Sequence, residues 1–254
     1  MAKINRYMIL ASSKNSLIVY QILAHIALVY GIYIGGFENW IPAILLYFLF
    51  ATVGGTITYH RLLSHKSFNS PKWFEYFGTI VASLGGNGSS IGWVAIHREH
   101  HRFTDTDKDP HSPHHTSILR IQFASMLDHP KIKYVPDLLR SKFHQWMHKN
   151  YWAVNIVYVA IAYALFGING IIFGYFIPTL MVWHAGSAIN TVNHLFGYRN
   201  YETKEKSTNN FFTGLFVSGE GWHNNHHAHP ADARFGHKWW EFDLGWQIIK
   251  LVRK

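Results

Sequence analysis

A chain of 254 residues with no cysteine and only 14 acidic side chains excludes disulfides, thiolate metal sites and iron–sulfur clusters. Charged residues make up 15% of it and hydrophobic ones 48%, whereas a soluble domain usually carries roughly 25% charged residues. The net charge of +9 fits either nucleic acid or a membrane surface, and the placement of the charges decides between them.

In chain order, the N-terminal MAKINRYMILASSKN has too short an apolar run for a signal peptide. From there no Lys or Arg occurs until Arg61. This gap reads as two helical spans, at about 16–36 and 41–60, each near the roughly 20 residues that cross the hydrocarbon of a bilayer. GFENW at 36–40 supplies the turn between them. Being apolar all round, they suit a membrane better than the core of a soluble protein. Span two leads into HRLLSH, which carries His60 and His65. Five apart, these two fit a helix that ends or bends between them.

HREHH follows, with His97, His100 and His101 at i, i+3 and i+4, so that all three share a helix face. In DTDKDPHSP, Asp105, Asp107 and Asp109 are placed either to orient imidazoles through N–H···carboxylate bonds or to cap loops. A second gap without Lys or Arg, from Lys149 to Arg199, holds spans three and four at about 151–167 and 170–190, with GING at the turn. NTVNH closes span four and puts Asn190 and His194 on one face. GEGWHNNHHAHP brings His223, His226 and His227, again at i, i+3 and i+4. The chain is thus read as one integral-membrane domain, all-α, with four transmembrane helices in two hairpins and a helical cap from 61–150 and 191–254. All 23 basic residues then fall on one side. The excess of Lys and Arg makes that side cytoplasmic, with both termini and every histidine box on it. The basicity is juxtamembrane, and a nucleic-acid partner loses its support.

His60, His65, His97, His100, His101, His194, His223, His226 and His227 are too many for one first-row ion, which takes roughly four to six ligands, and suit two. Structural zinc would favour Cys and a closed tetrahedral site. An all-imidazole pair of sites with a nearby Asn favours iron in a redox role. His25 and His184 lie inside spans one and four and are expected to hydrogen-bond within the bundle. His111, His114, His115, His129, His144, His148, His229 and His237 fall in the cap or its loops.

GGTITYHRLLSH, WVAIHREHH, DTDKDPHSP, NTVNH and GEGWHNNHHAHP, in this order from Gly54 to the WWEFDLGW tail, resemble the membrane-bound fatty acid desaturases, in particular the Δ9 (stearoyl-CoA desaturase-like) branch. The resemblance implies a four-span bundle with a cytosolic cap holding two iron ions, cycling between Fe2+ and Fe3+, on the nine histidines above. Asn190 would act on one iron through a water, and Trp93 would shape the acyl tunnel. It implies O2-dependent insertion of a cis double bond into a saturated C16 or C18 acyl chain. The electrons would come from a separate donor, ferredoxin or cytochrome b5. The acyl carrier stays open between CoA and a membrane lipid, because His114 and His115 stand where CoA-using members commonly carry a basic pair. Stepping back from His60 by α-helical turns gives Thr56, then Thr52 or Val53, then Phe48, which sets Thr56 and Thr52 as tunnel wall and Phe48 as its floor. A related di-iron hydroxylase and a metal transporter are the rival readings. Transporters, however, place their ligands near the bilayer midplane, away from span ends.

Overall fold

The computed structural model describes residues 14–124 and 130–254; the N-terminal segment and His129 lie outside the described residues. The described residues form helices and turns, with no strand beyond isolated bridges at Tyr198–Asn209 and Asn209–Trp222. Among the described residues, three stretches are long and apolar enough to cross a membrane: Ser16–Ile34, Phe37–Ser64 and Tyr151–Leu195.

Helix α1 spans Lys14–Ile34. After a two-residue turn, α2 (Phe37–Phe48) continues without a break as a π-helix, Leu49–Ser64. The wider repeat is visible in bonds that reach back five residues: His65 N–H to His60 O at 3.1 Å, and the Ser64 and Thr58 hydroxyls to Tyr59 O and Val53 O. Sustained π-helix is rare and is found mostly at functional sites. Here it runs straight into the first histidine pair, so the second apolar helix reaches Ser64 and does not stop at 60.

The third stretch comprises α7 (Tyr151–Ile171), a π turn (Ile172–Phe176) and α8 (Ile177–Leu195). It is interrupted at Gly167, whose φ of 58° and ψ of −146° only glycine adopts readily. The chain folds back there. Tyr175 Oη donates to Asn155 Oδ1 at 2.8 Å and Tyr158 Oη donates to Gly174 O at 3.0 Å. On a straight helix residues twenty apart would stand about 30 Å from each other. The outer faces of α1 and α7 leave Val29, Tyr33, Ile156, Leu165 and Phe166 exposed, a surface suited to lipid rather than water.

The remaining described elements are shorter helices. Helix α3 (Lys72–Leu84) lies along the π-helix, close enough that a Cβ on Gly54 would come within 2.6 Å of Ala82 Cα. Small residues at such a seam permit close backbone approach. Helix α4 (Ser90–Phe103) carries the second histidine group and starts at Ser89, whose hydroxyl accepts the Gly92 N–H. Helices α5 (Ile118–Ala124) and α6 (Lys142–Lys149) close one flank. Helices α9 (Phe211–Phe216), α10 (His223–Ala228) and α11 (Leu244–Val252) follow α8. Asn210 and Asp243 cap α9 and α11 by accepting N–H groups of the first turn.

Candidate metal centre

Nine imidazoles gather from the C-terminal end of the π-helix, α4, the C-terminal end of α8, and α10. Their nearest ring nitrogens fall into two groups, each within 4.8 Å: His60, His65, His97, His101 and His226 in one, His100, His194, His223 and His227 in the other. All nine histidines singled out by sequence are thereby accounted for. His60 and His65 share a face because a π-helix superposes residues five apart; their ring centroids are 5.0 Å from each other. The helix ends between them, at Ser64, with His65 as its C-cap.

The donor atoms fit metal ions. Nε2···Nε2 separations are 3.0 Å for His60–His226, 2.8 Å for His65–His97, 2.9 Å for His101–His226 and 3.1 Å for His194–His223. Two imidazole nitrogens each about 2.1 Å from one ion, at a right angle, would be about 3 Å apart. His100 Nε2 and His227 Nε2 are buried with no hydrogen-bond partner among the described residues, a costly state for a polar atom unless an ion meets it. Burial holds His97, His101, His223, His226 and His227 well below the usual imidazole range and brings His65 down to about 3. They are therefore neutral, which is the form a metal binds.

A second ring of acceptors orients these imidazoles. Glu220 Oε2 accepts from His60 Nδ1 at 2.5 Å. Asp109 accepts from His100 Nδ1 at 3.0 Å, and Asp105 Oδ2 from His194 Nδ1 at 3.0 Å. Each such bond fixes the proton on Nδ1 and turns Nε2 toward the group's centre. Asp107 is exposed and takes no part. Of the three aspartates, the sequence could not say which two do; nor did it mark Glu220. The signal available for Glu220 was a carboxylate three residues before His223 in an acid-poor chain. Behind Glu220 stands Arg61, fully buried, donating to Asp243 at 2.8 Å and to Ala233 O, with its guanidinium 3.8 Å from the Phe235 ring centroid. Burial raises the Glu220 carboxyl to about 8 even against the opposing pull of Arg61.

The box HNNHH owes its middle residues to anchoring. Asn224 Oδ1 accepts the Asn200 and Tyr201 N–H groups, and Asn225 Nδ2 donates to Phe235 O and Glu241 Oε2. Asn209 Oδ1 in turn accepts the N–H groups of Asn224 and Asn225. The two asparagines pin one side of α10 so that the three histidines face inward. His114 Nε2 donates to His194 O, and His115 Nε2 to Asp105 O. Both brace the second group from behind.

Replacing Asp109 with Asn is expected to lower metal content and activity by about 10- to 100-fold, the usual loss when such an orienting partner is removed. The amide keeps the shape but no longer favours the Nδ1–H tautomer of His100. Metal analysis of the purified variant checks it.

A cavity adjoins the first group. Its wall includes His60, Thr56, Gly55, Ala51, Trp93, Asn190, Val182 and Leu17. Trp93 stacks on His97 with centroids 4.9 Å apart, and both line the cavity together with Asn190. Of the residues expected along the tunnel, Thr56 lines this cavity. Phe48 packs beside Tyr47 and Thr52 bonds the Ser218 hydroxyl at 2.6 Å; neither lines the cavity. The π repeat is the reason: it places Thr56, Gly55 and Ala51, and not Thr52 and Phe48, below His60.

A family model described as fatty acid desaturase matches residues 38–252. Among curated relatives, an sn-1 stearoyl-lipid 9-desaturase of Synechocystis sp. is 38% identical, covering 83% of this chain and 67% of its own. An sn-1 stearoyl-lipid 9-desaturase of Anabaena variabilis is 35% identical over 88% and 87%. An acyl-CoA 5-desaturase of Anemone leveillei is 36% identical over 83% and 67%.

Proposed function

The chain belongs to the fatty acid desaturase family, and we propose that it is a four-span membrane enzyme that places a cis double bond at Δ9 of a saturated C16 or C18 acyl chain carried by a membrane lipid. The observation that carries this reading is an apolar cavity bordered by two neighbouring all-histidine groups. The Δ9 position rests on the names of the relatives. The lipid carrier is favoured because His114 and His115 are committed to His194 and Asp105 and leave no basic pair for CoA phosphates, which favour Arg and Lys.

Two iron ions on the nine histidines would supply O2 activation: with two electrons from ferredoxin or cytochrome b5 and two protons, O2 becomes two waters as adjacent methylenes lose two hydrogens. The chain's own part is positional. Trp93 and the narrow wall of Thr56 and Gly55 hold one methylene pair against the His60 side of the cavity, and holding reactants in register accounts for much of a catalytic rate. Glu220, Asp105 and Asp109 fix the imidazoles, while Asn190 stands where it would hold a water. The apolar wall keeps bulk water away from the acyl chain. Expression in a host lacking unsaturated fatty acids, followed by mass spectrometry of its lipids, tests the reading. Δ9-monounsaturated lipid is the expected product; hydroxylated chains, or saturated chains alone, would refute it.

The four-span topology puts the histidine groups on the cytoplasmic side with Lys254, and the Gly167 reversal on the other. Single Cys replacements in this Cys-free chain, labelled with an impermeant thiol reagent, are expected to place positions 38 and 169 opposite the exposed position 108 and position 254. Labelling of 38 and 108 from one side would refute it.

A further inference from the structure

On the flank of the bundle, α1 and α5 enclose a groove lined by Leu17, Ile18, Gln21, Ile22, His25, Ile26 and Phe123. Its outer edge is lipid-like: Ile18, Ile22, Ile26 and Phe123 are all exposed. Its floor is polar. Leu17, Gln21 and His25 recur every fourth residue and so share one face of α1. His25 Nδ1 donates to Gln21 O at 2.8 Å, and His184 Nδ1 on α8 donates to Gln122 Oε1 at 3.2 Å. The two Nε2 atoms then face each other at 3.3 Å with both Nδ1 protons committed, so in the neutral state neither has a donor to offer the other. Gln21 is 9% exposed, and both its Oε1 and Nε2 lack a partner among the described residues.

A buried amide without partners is destabilising, and polar or ionisable groups within a membrane helix mark function by default. This cluster is separate from the nine histidines. One residue links the two regions, since Leu17 lines both the groove and the metal-bordered cavity.

We propose that the groove between α1 and α5 is the seat of the glycerol-ester linkage of an uncharged membrane lipid, whose acyl chain passes Leu17 sideways from the bilayer into the cavity. The chemistry selects this occupant. The Gln21 amide offers one donor and one acceptor to an ester and a glycerol oxygen, and the paired Nε2 atoms of His25 and His184 accept a hydroxyl proton. None of the residues lining the groove is Lys, Arg, Asp or Glu, so no counter-charge awaits a phosphate. The depth agrees, because Gln21 lies seven residues, about 10 Å, along α1 from Lys14. This proposal rests on the lipid-linked reading above and adds where the carrier binds.

The test uses the full-length, iron-loaded protein in lipid nanodiscs, with an uncharged diacyl lipid bearing a diazirine two carbons from one ester. Crosslinks are expected on the peptides holding residues 17–26 and 122–123. A second arm measures Gln21→Leu. Its KM for the lipid-linked chain should rise about five- to tenfold, the worth of one or two hydrogen bonds. Its kcat and iron content should be unchanged, and its melting temperature no lower, since an unpaired amide has been removed. A purely structural Gln21 would instead lower the melting temperature and leave KM alone. Desaturation of the lipid with crosslinks only elsewhere, or an unchanged KM in Gln21→Leu, overturns the groove and leaves the lipid-linked reading standing. Failure to desaturate any lipid-linked chain overturns both.

Discussion

His226→Ala is expected to abolish desaturation and to empty the five-histidine group of its metal. His226 Nε2 sits between His60 Nε2 at 3.0 Å and His101 Nε2 at 2.9 Å, so its loss removes the atom those two ligands share as neighbour. Losing an orienting partner costs about 10- to 100-fold; losing the ligand itself exceeds that and takes activity below detection. His97→Ala should behave alike, because His97 pairs with His65 at 2.8 Å and forms the face on which Trp93 stacks. Asn190→Ala, which acts through water, should retain measurable turnover. Iron analysis and product analysis of each purified variant decide the matter, and near-normal activity in both His226→Ala and His97→Ala would sink the di-iron assignment.

The histidine groups were legible in the sequence because their spacing is a helical code. Residues at i, i+3 and i+4 converge on α4 and α10 whatever surrounds them, so His97, His100 and His101, and His223, His226 and His227, could be placed together without a structure. The fold-back at GING was legible because glycine marks a backbone state that other residues avoid. Two features were not. Nothing in LFATVGGTITYHRLLS distinguishes a π-helix from an α-helix, since both are apolar and continuous; the wider repeat goes with close packing against α3 at Gly54 and sets the His60 and His65 rings 5.0 Å apart. That one change of period moved the cavity wall from Thr52 and Phe48 to Gly55 and Ala51. The orienting carboxylates were half-legible. Asp105 and Asp109 follow their histidine box closely, but Glu220 reaches His60 across 160 residues, a pairing that only the tertiary fold creates. His25 and His184 lie 159 residues apart in the chain, and only the tertiary fold brings them to face each other.

Gly55→Leu is expected to cut turnover of C16 and C18 chains by about two orders of magnitude, the scale of loss when a substrate is displaced by an ångström or so from its reacting position, while iron content stays at the wild-type level. Gly55 is one π turn below His60 and lines the cavity. A Cβ there would have its nearest neighbours at 3.8 Å, Asn87 Nδ2 and Phe50 O, an ordinary contact that forces nothing in the helix to move, and the rest of the side chain extends from the cavity wall. Removing a glycine from a helix interior also favours the helix by up to about 1 kcal/mol, and the variant should melt no lower than the wild type. The lost activity therefore reports blockage of the acyl path and not unfolding or metal loss. Chains short enough to end above position 55 should keep more of their turnover than C18. Phe48→Ala, which removes a ring packed beside Tyr47 and outside the cavity, should leave the chain-length profile unchanged. Product profiles from mixed C14–C20 substrates measure both. Normal C18 turnover in a folded, iron-bound Gly55→Leu protein would show that the acyl chain descends along another wall.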